Sequence, residues 1–329
     1  MGIEGIEGIG PVDRSTIWPY DERGEPGEFY YSRYAHPTGV AAEHALGELE
    51  SGDALLYASG MGATTAIVLA LTKPGDTIAL ADGAYYGTSV LFRELERWGI
   101  QCVEFDQTTA PPPDADVVWV EAPANPTLTL PNWATIRSHP GLKVCDATVA
   151  TPVYLKALDE GADVVLHSAT KFLTGGHDAL LGATVTRDPE LTEQLRKTRT
   201  QTGITAAPDA AHALLEGLAT LERRMRRHTE SATEIARRLT GHPAVERVRY
   251  PGFSGLISFD VAGDPRAVET ATRLIMNATS LGGTASTMES RHRWEGDRIP
   301  RGLLRLSVGL EDVEAIWADL AEALRRARP

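Results

Sequence analysis

Cysteine is nearly absent: the 329 residues include two, Cys102 and Cys145, each inside an apolar strand-like run. Such thiols point to a reduced, cytoplasmic setting rather than to a disulfide-stapled fold. Long apolar runs are missing too. None approaches the ~18 residues a membrane helix needs, so no membrane partner is expected. Residues 1–10 lack a basic start and do not read as a signal peptide. Positive charge is in deficit, with 32 Lys and Arg against 45 Asp and Glu and a net charge of -13. That balance argues against nucleic acid or an anionic membrane as partner. An anionic ligand must therefore be caught by a local arrangement of donors. No HExxH occurs among the nine histidines, and the two cysteines stand far apart, so no metal site is expected. There is no GxSxG nucleophile elbow and no G-x-G-x-x-G dinucleotide fingerprint.

What the chain does have is alternation. Residues 1–27 hold a GIEGIEGIG repeat, too short for a solenoid, and read as an irregular arm. Phe29-Tyr-Tyr-Ser-Arg-Tyr34 precedes a His36-Pro-Thr-Gly39 turn, and helical spacing runs from about Val40 to Glu50. Short apolar strands are then expected at 54–58, 77–81, 117–120, 142–145, 164–167 and 183–186, with helices between. Several end on polar groups: Ser59, Asp82, Glu121, Asp146 and Ser168. This is the pattern of an α/β fold with a mostly parallel sheet between helices, and of one site at the strand ends. Residues 206–240 read as one or two long helices with Arg223, Arg224, Arg226 and Arg227 on a solvated face. A smaller C-terminal α/β domain follows, with strands near 245–250, 256–261 and 304–308 and helices near 265–277 and 312–326.

The centre of the pattern is Asp163-Val-Val-Leu-His-Ser-Ala-Thr-Lys171, which runs on into Phe172-Leu-Thr-Gly-Gly176. An apolar strand delivers Ser168, Thr170 and Lys171 to its carboxyl end. A lysine there can form a Schiff base with pyridoxal phosphate (PLP), while the hydroxyls hold the phosphate. The plain alternative is a surface lysine at a strand end. A PLP site also needs a carboxylate for the pyridine nitrogen. Asp146 ends the preceding strand and qualifies, unless it serves as a helix cap. Tyr57-Ala-Ser-Gly-Met-Gly62 joins a strand to a helix and offers free N–H groups to an anion. Tyr85 follows another strand end and could stack on a ring, with Tyr86 as competitor and core packing as the alternative for both. Arg305 sits in the otherwise apolar Leu303-Leu-Arg-Leu-Ser-Val308. Its planar fork suits a substrate carboxylate, unless it faces water on an alternating strand.

Together these stretches resemble the Cys/Met-metabolism family of PLP enzymes, the group of cystathionine synthases and lyases, methionine γ-lyase and homoserine sulfhydrylases. The resemblance runs from about Ser15 to Leu324, and Ser168-Ala-Thr-Lys-Phe-Leu-Thr-Gly-Gly-His177 is its most specific stretch. It implies a PLP-dependent transferase fold of type I, with an arm (1–45), a PLP-binding domain (46–206) and a C-terminal domain (207–329). It also implies roles. Lys171 would carry the cofactor and shuttle protons, Asp146 would pair with the ring nitrogen, and Tyr85 would stack on the ring. Gly60, Met61, Ser168 and Thr170 would bind the phosphate, and Asn125 would lie near the ring hydroxyl and the substrate. Arg305, helped by the backbone around Ser286, would take the substrate carboxylate. Tyr31 and Arg33 would reach the phosphate of a neighbouring subunit, in a dimer that shares its sites and pairs into a tetramer.

The sequence departs from the family pattern around the substrate entrance. Gly87 stands where methionine γ-lyases carry cysteine. Ala285 replaces a common glutamate before Ser286, and Glu289-Ser-Arg-His-Arg-Trp-Glu295 replaces a conventional segment. The expected activity is cleavage of the Cγ–S bond of an amino-acid thioether such as cystathionine. The alternatives are γ-replacement on an O-acyl homoserine, β-elimination, and a non-catalytic PLP-fold or α/β binding protein.

Overall fold

A computed structural model describes residues 9–109 and 112–326. The reading of residues 1–10 and most of the GIEGIEGIG repeat lie outside them. Among the described residues no helix is long and apolar enough to cross a membrane.

Seven strands make the larger sheet: β1 (Asp53–Tyr57), β2 (Thr77–Ala81), β3 (Gln101–Phe105), β4 (Val117–Glu121), β5 (Leu142–Asp146), β6 (Val164–His167) and β7 (Gly182–Thr186). Their order is β1-β7-β6-β5-β4-β2-β3, and β7 alone runs antiparallel to both its neighbours. The strands β4 and β6 are buried along their whole length. Alternate residues feed two cores. Val118, Val120, Cys145 and Val165 pack on one face, and Val117, Trp119, Val144 and Val164 on the other. Helices cover both faces, so the polar strand ends at Glu121, Asp146 and Ser168 are gathered on one rim.

Six of these strands fall where expected, within a residue of the boundary. The exception is β3, an edge strand whose burial is mostly low. Its apolar run around Cys102 is short, only Cys102-Val103 between Gln101 and Glu104, and too brief to mark a strand. The helix expected from Val40 begins three residues earlier, as Pro37–Glu50. Pro37 suits a first helical position, and His36 Nδ1 accepts the Gly39 N–H at 3.0 Å as the cap.

The smaller sheet has order β10-β11-β12-β9-β8. Its strands are β8 (Val245–Arg249), β9 (Leu256–Val261), β10 (Met276–Asn277), β11 (Thr287–Ser290) and β12 (Leu303–Ser307). The first two and the last match expectation. The helix expected over 265–277 stops at Ala271, because Thr272 is extended and Met276 already pairs with β11. Residues 206–240 form two helices, Pro208–Leu218 and Leu221–Thr240. The second packs Ala232, Ile235 and Leu239 against Ile257 and Phe259 of β9.

One arginine of the expected solvated cluster is misread. Arg223, Arg226 and Arg227 are exposed, but Arg224 is 7% exposed and lies inside. It donates from Nη1 to the Phe172 carbonyl at 2.7 Å and from Nη2 to the Gly217 carbonyl at 2.7 Å. It repeats with Leu221, Met225 and His228 on the buried stripe of its helix.

Candidate active site

The carboxyl ends of β4, β5 and β6 meet the start of the helix Gly60–Leu71 and the near edge of the smaller sheet at a cavity of about 590 Å³. Lys171, Asp146, Tyr85, Asn125 and Arg305 all line it, three from loops and one from a strand of each sheet.

The turn that carries Lys171 is fixed by backbone bonds. The Thr170 hydroxyl donates to the Leu181 carbonyl at 3.1 Å and accepts the Leu181 N–H at 2.8 Å. Arg224 holds the carbonyls of Phe172 and Leu173 just beyond. Lys171 Nζ donates to Ser280 Oγ at 2.8 Å. Burial, and then the nearby positive charge of Arg305, push the amine down to about 8. Ser280 reaches it from a left-handed backbone, φ +85, which a residue with a Cβ adopts at some cost. No local pattern marks Ser280 beforehand, beyond its place at the head of Ser280-Leu-Gly-Gly283.

Asp146 and Glu121 are register partners at the ends of β5 and β4. Burial raises the Asp146 carboxyl, and hydrogen bonds from Thr148 oppose that rise. Its Oδ1 accepts the Thr148 N–H at 2.9 Å. Glu121 is pushed well above the usual carboxylate range, by burial first and the Asp146 charge second. Its Oε2 accepts the Tyr85 N–H at 2.6 Å, so it sets the position of that aromatic. Burial thus raises both carboxyls, and the charge of Asp146 raises Glu121 further.

At the opposite wall Ser59 caps the helix Gly60–Leu71 by accepting the Gly62 N–H at 3.0 Å. The first N–H groups of a helix have no intrahelical partner and suit an anion, and Gly60 and Met61 line the cavity together with Ser168 and Thr170. Gly60 has to be glycine: a Cβ there would lie 2.8 Å from Ser168 Cβ.

Arg305 enters from β12 and is 3% exposed. Nη1 donates to Asn125 Oδ1 at 3.0 Å, and Nη2 donates to the Ser280 carbonyl at 3.0 Å and to Glu289 Oε1 at 2.7 Å. It does not face open water, as the alternative reading had it.

Not every expected residue arrives. Ser286 does not line the cavity, and its donors are committed elsewhere. Its N–H and Oγ both donate to the Glu311 carboxylate, at 2.7 and 2.9 Å, and its Oγ accepts the Gly309 N–H at 2.8 Å. Glu311 lies 25 residues downstream, so no local pattern discloses the pairing. Tyr31 and Arg33 stand outside this chain's cavity as well. Arg33 donates to the Thr200 carbonyl at 2.7 Å and lies 4.7 Å over the Tyr34 ring.

An amine of lowered pKa, a buried carboxylate across from it, an anion cup cleared of side chains and an aromatic at the rim are the donor set a pyridoxal phosphate ring requires, and the cavity is large enough for it. The Cys/Met metabolism PLP-dependent enzyme family matches residues 7–325. The chain belongs to this family. It is 39% identical to an L-methionine gamma-lyase of Streptomyces avermitilis, over 95% of this chain and 84% of that one. It is 35% identical to a cystathionine gamma-lyase of Bacillus subtilis, over 98% and 97%. A crystal structure of the cystathionine gamma synthase of Xanthomonas oryzae with aminoacrylate and cysteine superposes with a TM-score of 0.91, at 32% identity, covering 96% of this chain and 92% of that one. The fold is therefore that of type I PLP-dependent enzymes, and the protein is a PLP-dependent enzyme of a family that acts at carbon–sulfur bonds. The non-catalytic alternative falls away.

Proposed function

We propose that this enzyme is a carbon–sulfur lyase that cleaves the Cγ–S bond of an amino-acid thioether such as cystathionine. The observation that carries the reading is the meeting of Lys171, Asp146 and Arg305 in one cavity. Bound PLP supplies the electron sink at the substrate α-carbon. The chain supplies everything else. Gly60, Met61, Ser168 and Thr170 hold the phosphate, Asp146 holds the ring nitrogen, and Tyr85 covers one face. Arg305, fixed by Asn125, binds the substrate carboxylate as a planar fork. Lys171, whose amine is pushed down to about 8, is partly uncharged near neutral pH. It takes the α-proton, and proton transfer from Cβ then lets sulfur leave. Positioned proton transfer of this kind contributes roughly 10²–10⁴-fold.

In the proposed functional form two chains share each site. Tyr31 and Arg33 of one reach the phosphate in the other, and dimers pair into a tetramer. The exposed aromatics Tyr20, Tyr31 and Tyr34 on that arm support an interface there. The free thiols Cys102 and Cys145 support a cytoplasmic setting. We divide the chain at 46–206 for cofactor binding and 207–329 for the C-terminal domain.

A second reading, γ-replacement on an O-acyl homoserine, uses the same parts and is supported by the likeness to the cystathionine gamma synthase structure. Methionine γ-cleavage is less favoured by the site: a Cβ at Gly87 would lie 2.6 Å from Tyr85 Cε1, so a cysteine there would displace the ring. Assays for 2-oxoacid release from cystathionine and for thioether formation from an O-acyl homoserine with cysteine separate the two main readings. Lys171→Ala is expected to abolish turnover together with the visible absorbance of the holoenzyme. An active, yellow Lys171→Ala protein would refute the assignment.

A further inference from the structure

The cavity is lined by a second guanidinium that the reaction above does not use. Arg291 is 4% exposed and follows β11, and it shares the lining with Arg305. Both arginines are held by one acid that does not itself line the cavity. Glu289 Oε1 accepts Arg305 Nη2 at 2.7 Å and Arg291 Nη1 at 2.6 Å. Arg291 Nη2 donates to Glu295 Oε1 at 2.8 Å.

These contacts leave donors over. A guanidinium has five N–H groups, and Arg291 spends two on carboxylates. The Nε atoms of Arg291 and Arg305 are buried and have no partner among the described residues. Arg224 is the internal contrast. It does not line this cavity, and it spends Nε, Nη1 and Nη2 on Thr220 and three backbone carbonyls. A buried cation with unfilled donors beside a cavity costs free energy until a ligand supplies acceptors. Trp294, half exposed, and Leu180 line the same cavity and offer apolar surface to a methylene arm.

We propose that Arg291 is a specificity-determining residue that takes a carboxylate at the far end of the substrate side chain. The preferred substrates are then amino acids whose γ-substituent ends in a second acid group, ahead of those that end in a methyl. This deepens the proposed function and rests on its reading of Arg305 as anchor of the α-carboxylate.

Two probes of equal chain length and without a γ leaving group test it: 2-aminopimelate, which ends in a carboxylate, and 2-aminoheptanoate, which does not. Calorimetric titration into the holoenzyme is expected to show the diacid bound roughly 10–100-fold more tightly, the range of a charged hydrogen bond. Arg291→Gln is expected to erase that preference while the Kd of 2-aminoheptanoate moves less than about threefold, and Arg291→Lys to retain part of it. In turnover, Arg291→Gln is expected to raise KM for cystathionine more than KM for methionine. The absence of a preference in the wild-type protein, which needs no variant to fold, overturns the proposal. So does an equal loss for both probes in Arg291→Gln. Arg305→Gln separates this from the underlying reading, since it is expected to weaken both probes alike. If it spares both, the anchor assignment fails while the Arg291 comparison still stands.

Discussion

The Lys171 turn and the Glu289–Arg291 segment face one cavity and are built on opposite terms. Around Lys171 the partners are neutral. Hydroxyls and backbone carbonyls fill one another's donors, and the cation bonded to the turn, Arg224, is spent on carbonyls. Burial pushes that guanidinium down to about 10 without a carboxylate in attendance. Around Glu289 charge meets charge: two guanidiniums share one acid oxygen inside the protein. The first arrangement fixes a backbone and leaves the amine free to react. The second keeps side chains charged where a charged ligand must bind. Rigidity and recognition are thus drawn from different interactions in one site.

The contrast is broken most sharply by Glu289→Gln. It removes the single negative charge between two buried arginines, and breaking a buried pair costs about 3–5 kcal/mol. Urea unfolding of the holoenzyme is expected to record a loss of that size. A loss under about 1 kcal/mol would mean that the pair is solvated and the contrast false. Arg224→Met is expected to cost less, about 1–3 kcal/mol, because it strands neutral carbonyls rather than a charge. It should also slow cofactor uptake by loosening the turn after Lys171. Arg223→Ala, one residue away on the wet face, is the control and should stay within about 0.5 kcal/mol.

Much of the first arrangement was legible beforehand, and little of the second. The strands β4, β5 and β6 are buried on both faces and read as apolar runs, so their polar ends pointed directly to Asp146, Ser168 and Lys171. Arg224 reads as solvated in the sequence because charge in a run outweighs helical spacing. The stripe Leu221, Met225, His228 and Ala232 contained the signal that would have put it inside. β11 was invisible because Thr287-Met-Glu-Ser290 interrupts its apolar pattern with the acid that serves Arg305 and Arg291. Ser286 failed for a similar reason, since its partner Glu311 comes from a distant segment. Pairings of this kind depend on how two sheets dock, which neither propensity nor periodicity encodes. The resemblance points to Arg305 and Asn125, which both line the cavity, yet it does not disclose that they bond to each other.

The finest comparison concerns the amine itself. Lys171 is pushed down to about 8, by burial first and by Arg305 second. A lowered folded-state pKa means the uncharged, nucleophilic amine is present from about pH 8 upward rather than above the ordinary lysine range. For cofactor-free protein mixed with PLP, the rate at which visible absorbance appears is therefore expected to rise to about pH 8–9 and then level off. A free amine of pKa ~10.4 would instead gain about tenfold per pH unit up to pH 10. Arg305→Gln removes a positive charge from beside the amine, so the midpoint should move upward. Arg224→Met removes a charge whose bonds all point away from the cavity, so it should change the rate without moving the midpoint. If both variants shift the midpoint alike, the field at Lys171 comes from the whole interior. The division between a neutral scaffold and a charged recognition wall would then have to be redrawn.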